Sequence, residues 1–434
     1  MRAHPMVYSL GNLGTNIFAQ AFATFALFFY VDHLRAALGP ITFALGVQSV
    51  WHAVLNPLIG VLSDRTRTRW GRRLPYIAGG TIPLGLVFFL LWHPLVPHNA
   101  LVGYFFILVV LFDALYLVVV INWTSLFPEL FTTLEDRAYA ARWRQFVGIL
   151  GLMIGVALPP LLYGHWGWTI MGAILAVIGT GGFLAVLVSH GPMRTMTPQK
   201  PAPWLPLVRK SLRQPGFIRY LTANFLIQFV LLLIPGVMPF YGKYVLHLRH
   251  SQLTILLAAT FGTALLVLYP WSWMIRRVGT QKSFRLAMIL LGIAVVPFGI
   301  IHHFIGGLLT MVGIGIGLGG FLTLVDIVMA ELIDDQARRH PDLRKEGTFY
   351  GINGFVLRLG TTLEAAVIYE VLHVTGYHPN SEGLASASVL WGLRWLMGGA
   401  PLLAIILAIL VFRRFGIPES PRHVIAPLAP ERNG

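Results

Sequence analysis

Ser63-Asp-Arg-Thr-Arg-Thr-Arg-Trp-Gly-Arg-Arg-Leu-Pro75 packs five arginines into thirteen residues, and apolar stretches run up to it from both sides. About 20 apolar residues in helix span a bilayer. A basic segment between two such stretches reads as a loop held on one side of a membrane. The whole composition agrees. Of 434 residues, 56% are hydrophobic and 11% charged, where a soluble domain carries roughly a quarter. The apolar runs recur along nearly the entire chain, so one soluble core cannot absorb them. The chain reads as a polytopic α-helical membrane protein.

Twelve spans are predicted, at approximately 8–31, 41–63, 75–95, 100–126, 145–164, 167–190, 217–243, 251–275, 284–303, 306–333, 348–373 and 388–413. Lysine and arginine gather in alternate loops: Arg65–Arg73, Arg137–Arg144, Arg194–Arg213, Arg276–Arg285 and Arg338–Lys345. His93–Asn99 and Tyr163–Trp168 hold none. The net charge of +15 therefore follows the positive-inside rule and forms no aromatic-interleaved face for nucleic acid. It predicts a multi-pass protein of a bacterial-type inner membrane with both termini cytoplasmic and the lipid bilayer as its surroundings. With no cysteine, disulfides, thiolate metal sites and thiol nucleophiles are excluded. Met1-Arg-Ala-His-Pro-Met6 opens an apolar run that no small-residue cleavage site follows, so the first span is expected to stay.

His190–Pro215 is the longest internal polar stretch and contains Pro198, Pro201, Pro203, Pro206 and Pro215. It reads as a linker, giving a first six-helix half over 1–190, a cytoplasmic linker over 191–216, a second half over 217–414 and a tail over 415–434. The halves echo one another. Pro128-Glu-Leu130 ends span four and Ala330-Glu-Leu332 ends span ten; each precedes a mixed-charge loop and a span carrying Gly148-Ile-Leu-Gly151 or Val356-Leu-Arg-Leu-Gly360. Two such halves form an all-α membrane protein of the major facilitator fold, with a substrate site between them at mid-membrane.

The basic loop is chemically intelligible. Asp64 can pair with neighbouring arginines, Gly71 permits a tight turn and Pro75 suits a first helical turn. Asp64, Arg65, Arg72 and Arg73 are expected to gate the cytoplasmic side. Within the spans stand His52, Asp113, Asp326, Arg358 and Glu364, and a charge there costs about 2.5–3.5 kcal/mol unless it finds a partner or a polar cavity. Asp326 lies ~12 Å and Arg358 ~16 Å from the cytoplasmic ends of connected spans, which suggests a pair. Glu364, about 600° further round the helix from Arg358, is expected to point elsewhere. His52 titrates near neutral pH, and Asp113 or Asp326 can join it in coupling protons. Asn16, Gln20, Gln48, Trp123, Asn224, Gln228, Tyr241 and Asn353 are candidate cavity residues, with Trp123 beside Asn122, or Trp51 beside His52, as a stacking platform for a sugar ring. Pro235-Gly236 and Pro239 read as a helix break in span seven, and the glycines of 313–320 as close helix packing. No nucleophile–base set or metal cluster is visible, so neither an enzyme, a cofactor nor a metal site is expected.

Asn56-Pro-Leu-Ile-Gly60, the basic loop itself through Tyr76, Ser125-Leu-Phe-Pro-Glu-Leu130 and Lys345-Glu-Gly-Thr-Phe-Tyr-Gly351 together resemble the glycoside–pentoside–hexuronide:cation symporter family, the group of the bacterial melibiose permease. The resemblance implies cation-coupled transport of a sugar or glycoside by alternating access. It places Arg144 at the family's substrate-side arginine and Arg358 at its span-eleven lysine. The sodium-binding aspartates of span two fall on His52 and Asn56, the span-four aspartate on Val120 and the sugar-contact aspartate of span one on Asn16. Hard sodium favours oxygen ligands with carboxylate charge. Proton-coupled or uncoupled transport is therefore expected. Relatives of this fold also move lysolipids in animals, so an amphipathic substrate is the alternative; a non-transporting sensor or assembly factor is the alternative from another class.

Overall fold

The computed structural model describes residues 4–131, 133–188, 214–339, 346–379, 385–413 and 415. The expected linker at 191–216 therefore lies outside the described residues except for its last three positions, as does the tail beyond residue 415 and the loop from 340 to 345.

Among the described residues every regular element is helical. Nine helices are long and apolar enough to cross a membrane, and the bent pair His250–Leu266 and Leu268–Val278, 42° apart, makes a tenth. Leu134–Val188 runs for 55 residues but breaks at Gly167, whose φ of 82° and ψ of 166° no helix contains, so it supplies two spans. The 29-residue helix Glu346–Val374 completes the twelve. Helix starts follow simple chemistry. Pro5, Pro75 and Pro215 stand in first turns, where an N–H has no intrahelical acceptor to lose.

Two expectations need correction. Span five begins at Leu134, well before residue 145. Pro215–Tyr244 continues through Pro235 and Pro239 without a break, because packed neighbouring helices can re-satisfy the carbonyls that proline frees.

The spans pack as an internal two-fold repeat demands. Between the halves, span one lies on span seven, span two on span eleven, and span five on span eight. Each of these pairings maps onto itself or another when one half is exchanged for the other. Without a hydrophobic force between helices in lipid, close approach relies on small residues. A Cβ at Gly14 would fall 2.5 Å from the Gly179 carbonyl oxygen, and one at Gly317 would fall 2.8 Å from the Leu291 Cβ. The glycine-rich stretch of span ten is thus a packing surface, as its sequence suggests.

Candidate functional site

Span two brings His52, span four Asp113 and span eleven Arg358 to one point at the interface of the halves. His52 Nδ1 lies 2.8 Å from Asp113 Oδ1 and 2.5 Å from an Arg358 terminal nitrogen. Gln48 donates to the same Asp113 oxygen at 2.8 Å, and the Arg358 guanidinium stands 3.7 Å from it. At that separation opposite charges attract by about 4 kcal/mol at an effective dielectric near 20. Asp113 is 1% exposed, and its Oδ2 has no hydrogen-bond partner. One carboxylate oxygen is crowded while the other is bare.

The consequence lies in His52. A neutral ring nitrogen either donates one hydrogen or accepts one. Nδ1 can give its proton to Asp113 or receive one from Arg358, but it cannot do both. The three groups therefore have two exclusive hydrogen-bonding arrangements, and a proton decides between them.

Gln48, Asp113 and Arg358 border a cavity of about 100 Å³, whose polar wall also includes Ser49, Thr361 and Glu364. Ser49 and Thr361 join the halves there at 3.2 Å. A second cavity, of about 240 Å³, lies on the other side of the span one–span seven contact and is lined by Gln20, Gln228 and mostly leucine, isoleucine and methionine.

The expected Asp326–Arg358 pair does not form. Span eleven packs on spans two and seven, so Arg358 turns toward Asp113 rather than to its connected neighbour. Asp326 is exposed, with Arg144 of the first half as the charge acting on it. Glu364 also departs from expectation, since it borders the same cavity as Arg358. The cavity runs along Arg358, Thr361, Glu364, Ala365 and Ile368, which share an arc of about 120° on span eleven, and it takes in both carboxyl and guanidinium.

The other candidates are scattered. Trp123 is 2% exposed, stacks on Tyr8 at 5.2 Å and donates its indole N–H to the Tyr8 carbonyl; its ring is spent on packing spans one and four. Asn16 donates to the Asn12 carbonyl at 2.9 Å. Asn353 accepts from Asn224 at 2.9 Å. Arg144 lies over the Phe127 ring at 5.3 Å, while Asn12 donates to its carbonyl. Of the expected substrate residues, Gln20 and Arg358 border cavities.

At the basic face, Arg73 reaches Asp64 at 2.5 Å and Arg72 reaches Glu129 at 2.6 Å. Arg65 is exposed. These pairs join the ends of spans two, three and four inside one half, so the expected gate does not bridge the halves here. The opposite, loop-poor face carries the bridge that sequence reasoning missed. Asp32 at the end of span one accepts from Lys243 at 2.6 Å, Tyr244 at 2.5 Å and Tyr377 at 2.6 Å, all from the second half. Burial first, and then the Asp32 carboxylate beside it, raise the Tyr377 hydroxyl above the ordinary tyrosine range, so it stays a donor. Phe28 packs edge-on against Phe240 just below. The available signal was Lys243, a lysine on the side otherwise poor in them.

Known proteins bear on this geometry. The family model described as MFS/sugar transport protein matches residues 7–419. The isoprimeverose transporter of Lactiplantibacillus pentosus is 24% identical over 406 residues, covering 88% of this chain and 82% of that protein. The sodium-dependent lysophosphatidylcholine symporter 1-A of Danio rerio is 22% identical, covering 96% of this chain and 86% of that one. Among solved structures, the nucleoside transporter NupG superposes with a TM-score of 0.68 over 94% of this chain and 97% of its own, at 13% identity. That likeness concerns the fold.

Proposed function

The chain belongs to the MFS/sugar transport protein family, as a multi-pass membrane transporter of the major facilitator type, and we propose that it is a secondary transporter that couples a small solute, a sugar or glycoside, to protons. The basic loops face the cytoplasm in this reading, and the Asp32 bridge closes the outer side. The shared His52 Nδ1 carries the proposal. A proton on that nitrogen pairs it with Asp113 and displaces Arg358; its loss returns Nδ1 to Arg358. Because spans two and four belong to one half and span eleven to the other, this exchange changes how tightly the halves are held.

Protons suit the site better than sodium does. The Arg358 guanidinium occupies the approach to Asp113 and repels a second cation. The remaining close ligands are a ring nitrogen and an amide, a poor set for a hard ion. Asp64, Arg72, Arg73 and Glu129 hold the cytoplasmic ends of spans two to four as one rocking body. In this reading the attraction of Arg144 in the first half for Asp326 in the second acts across the halves on that side, as a cytoplasmic counterpart of the outer bridge.

A second reading follows from the 240 Å³ apolar cavity, which suits the chain of an amphipathic substrate better than a sugar. Counterflow in proteoliposomes distinguishes the readings. Sugars and lysolipids are screened with and without a pH gradient, and with and without a sodium gradient at fixed pH. Sugar exchange driven by the pH gradient is expected. Sodium-stimulated uptake at fixed pH overturns the proton reading; lysolipid exchange alone overturns the sugar.

A further inference from the structure

Glu364 is a buried carboxyl that the coupling scheme does not use. It is 8% exposed and borders the polar cavity. Among the described residues it makes no hydrogen bond or ion pair, because Arg358 is committed to His52 and Asp113. Six residues separate the two along span eleven, about 9 Å of rise. Glu364 thus stands between the Arg358 cluster and the Asp32 bridge, on the loop-poor side of the cavity.

Its surroundings are built around a neutral acid. Span one presents Ala19, Phe22, Ala23 and Ala26 to the cavity, none of them polar. Span seven presents Gly236, where a Cβ would sit 2.5 Å from Glu364 Oε1. A side chain at position 236 would push the carboxyl away. The titratable groups facing the cavity are Asp113 and Tyr116 of span four and Arg358 of span eleven, with His52 of span two behind Asp113. Asp113 and Arg358 offset each other, so nothing balances an ionised Glu364, and a lone carboxylate in so apolar a place is strongly disfavoured.

We propose that Glu364 is a proton-binding site separate from the His52–Asp113 pair, loaded from the loop-poor face. Span one is its apolar cover. When the halves rock and the Asp32 bridge opens, span one moves off Glu364, water reaches the carboxyl and the proton exchanges. When the bridge closes, the neutral acid is sealed above the Arg358 cluster. The inference rests on the proton-coupled reading for its purpose, but its test does not.

The full-length protein in lipid bilayers is titrated by infrared difference spectroscopy. Wild type is expected to show the C=O stretching band of a protonated carboxylic acid at neutral pH. Glu364→Gln removes that band and Asp113→Asn leaves it. Gly236→Ala, which keeps the acid but displaces it, shifts its frequency, so the assignment does not depend on one variant. In Asp32→Asn, with the bridge broken, the band titrates away at a pH at least tenfold lower in hydroxide concentration than in wild type. A band untouched by Glu364→Gln and Gly236→Ala, or one that does not respond to Asp32→Asn, overturns the proposal. If the pH gradient leaves wild-type counterflow unchanged while the band behaves as described, the coupling reading fails and the proton site stands.

Discussion

His52, Asp113 and Arg358 are three ionisable side chains whose mid-membrane cost is met by one another. Removing one partner from such a set leaves an uncompensated charge, typically destabilising by about 3–5 kcal/mol. Arg358→Gln is therefore expected to lower the thermal unfolding temperature of the purified protein substantially. Arg358→Gln combined with Asp113→Asn should recover most of the loss, because the double variant buries no lone charge. A double variant whose loss equals the sum of the two single losses would show that the groups do not act as a pair. These residues were legible as intramembrane charges, since polarity inside an apolar run needs no structure to see. Their pairing was not. Counting residues gives depth along a helix, while the partner depends on which helices touch, and span eleven lies on span two rather than against Asp326.

At the scale of elements, the ends of spans two, three and four are tied by Glu129, whose side chain is 4% exposed between Arg72 and Arg73. Glu129→Gln strips the anion from two arginines at once. It is expected to cost about 3–5 kcal/mol, read as a lower unfolding temperature, with increased hydrogen exchange confined to 63–76 if these pairs are what order the loop. Unchanged exchange there would assign the order to Gly71 instead, whose φ of 86° makes the turn that follows Thr68. The helices themselves were readable, because twenty apolar residues in a row leave few alternatives. Their interruptions were less so. Gly167 breaks a helix and Pro235 does not, and the difference lies in whether neighbouring chains cover the freed backbone, which is a tertiary matter.

For the whole molecule, the question is what holds the halves together on the loop-poor face. Asp32 gathers three donors from the second half, so Asp32→Asn should release that face. The absence of native cysteine allows spin labels at Leu95→Cys and Ile300→Cys, on exposed loops of opposite halves. Double electron–electron resonance is expected to show a longer distance gaining population in the Asp32→Asn background; an unaltered distribution would mean that the bridge does not hold the face shut. The two-fold arrangement was legible in the sequence, as Pro128-Glu-Leu130 and Ala330-Glu-Leu332 anticipate the repeat. The bridge was not, because Lys243 and Tyr377 lie 211 and 345 residues from Asp32 and no local pattern joins them.

The five arginines that open the chain's polar story divide into two groups. Arg72 and Arg73 are tied to Asp64 and Glu129, while Arg65, Arg67 and Arg69 are exposed. The first group is architectural; the second is free to act on the insertion machinery and on anionic headgroups. Orientation during biogenesis and cohesion after folding thus rest on different side chains within one loop, so selection can retune how the nascent chain is threaded without disturbing how the finished bundle is packed.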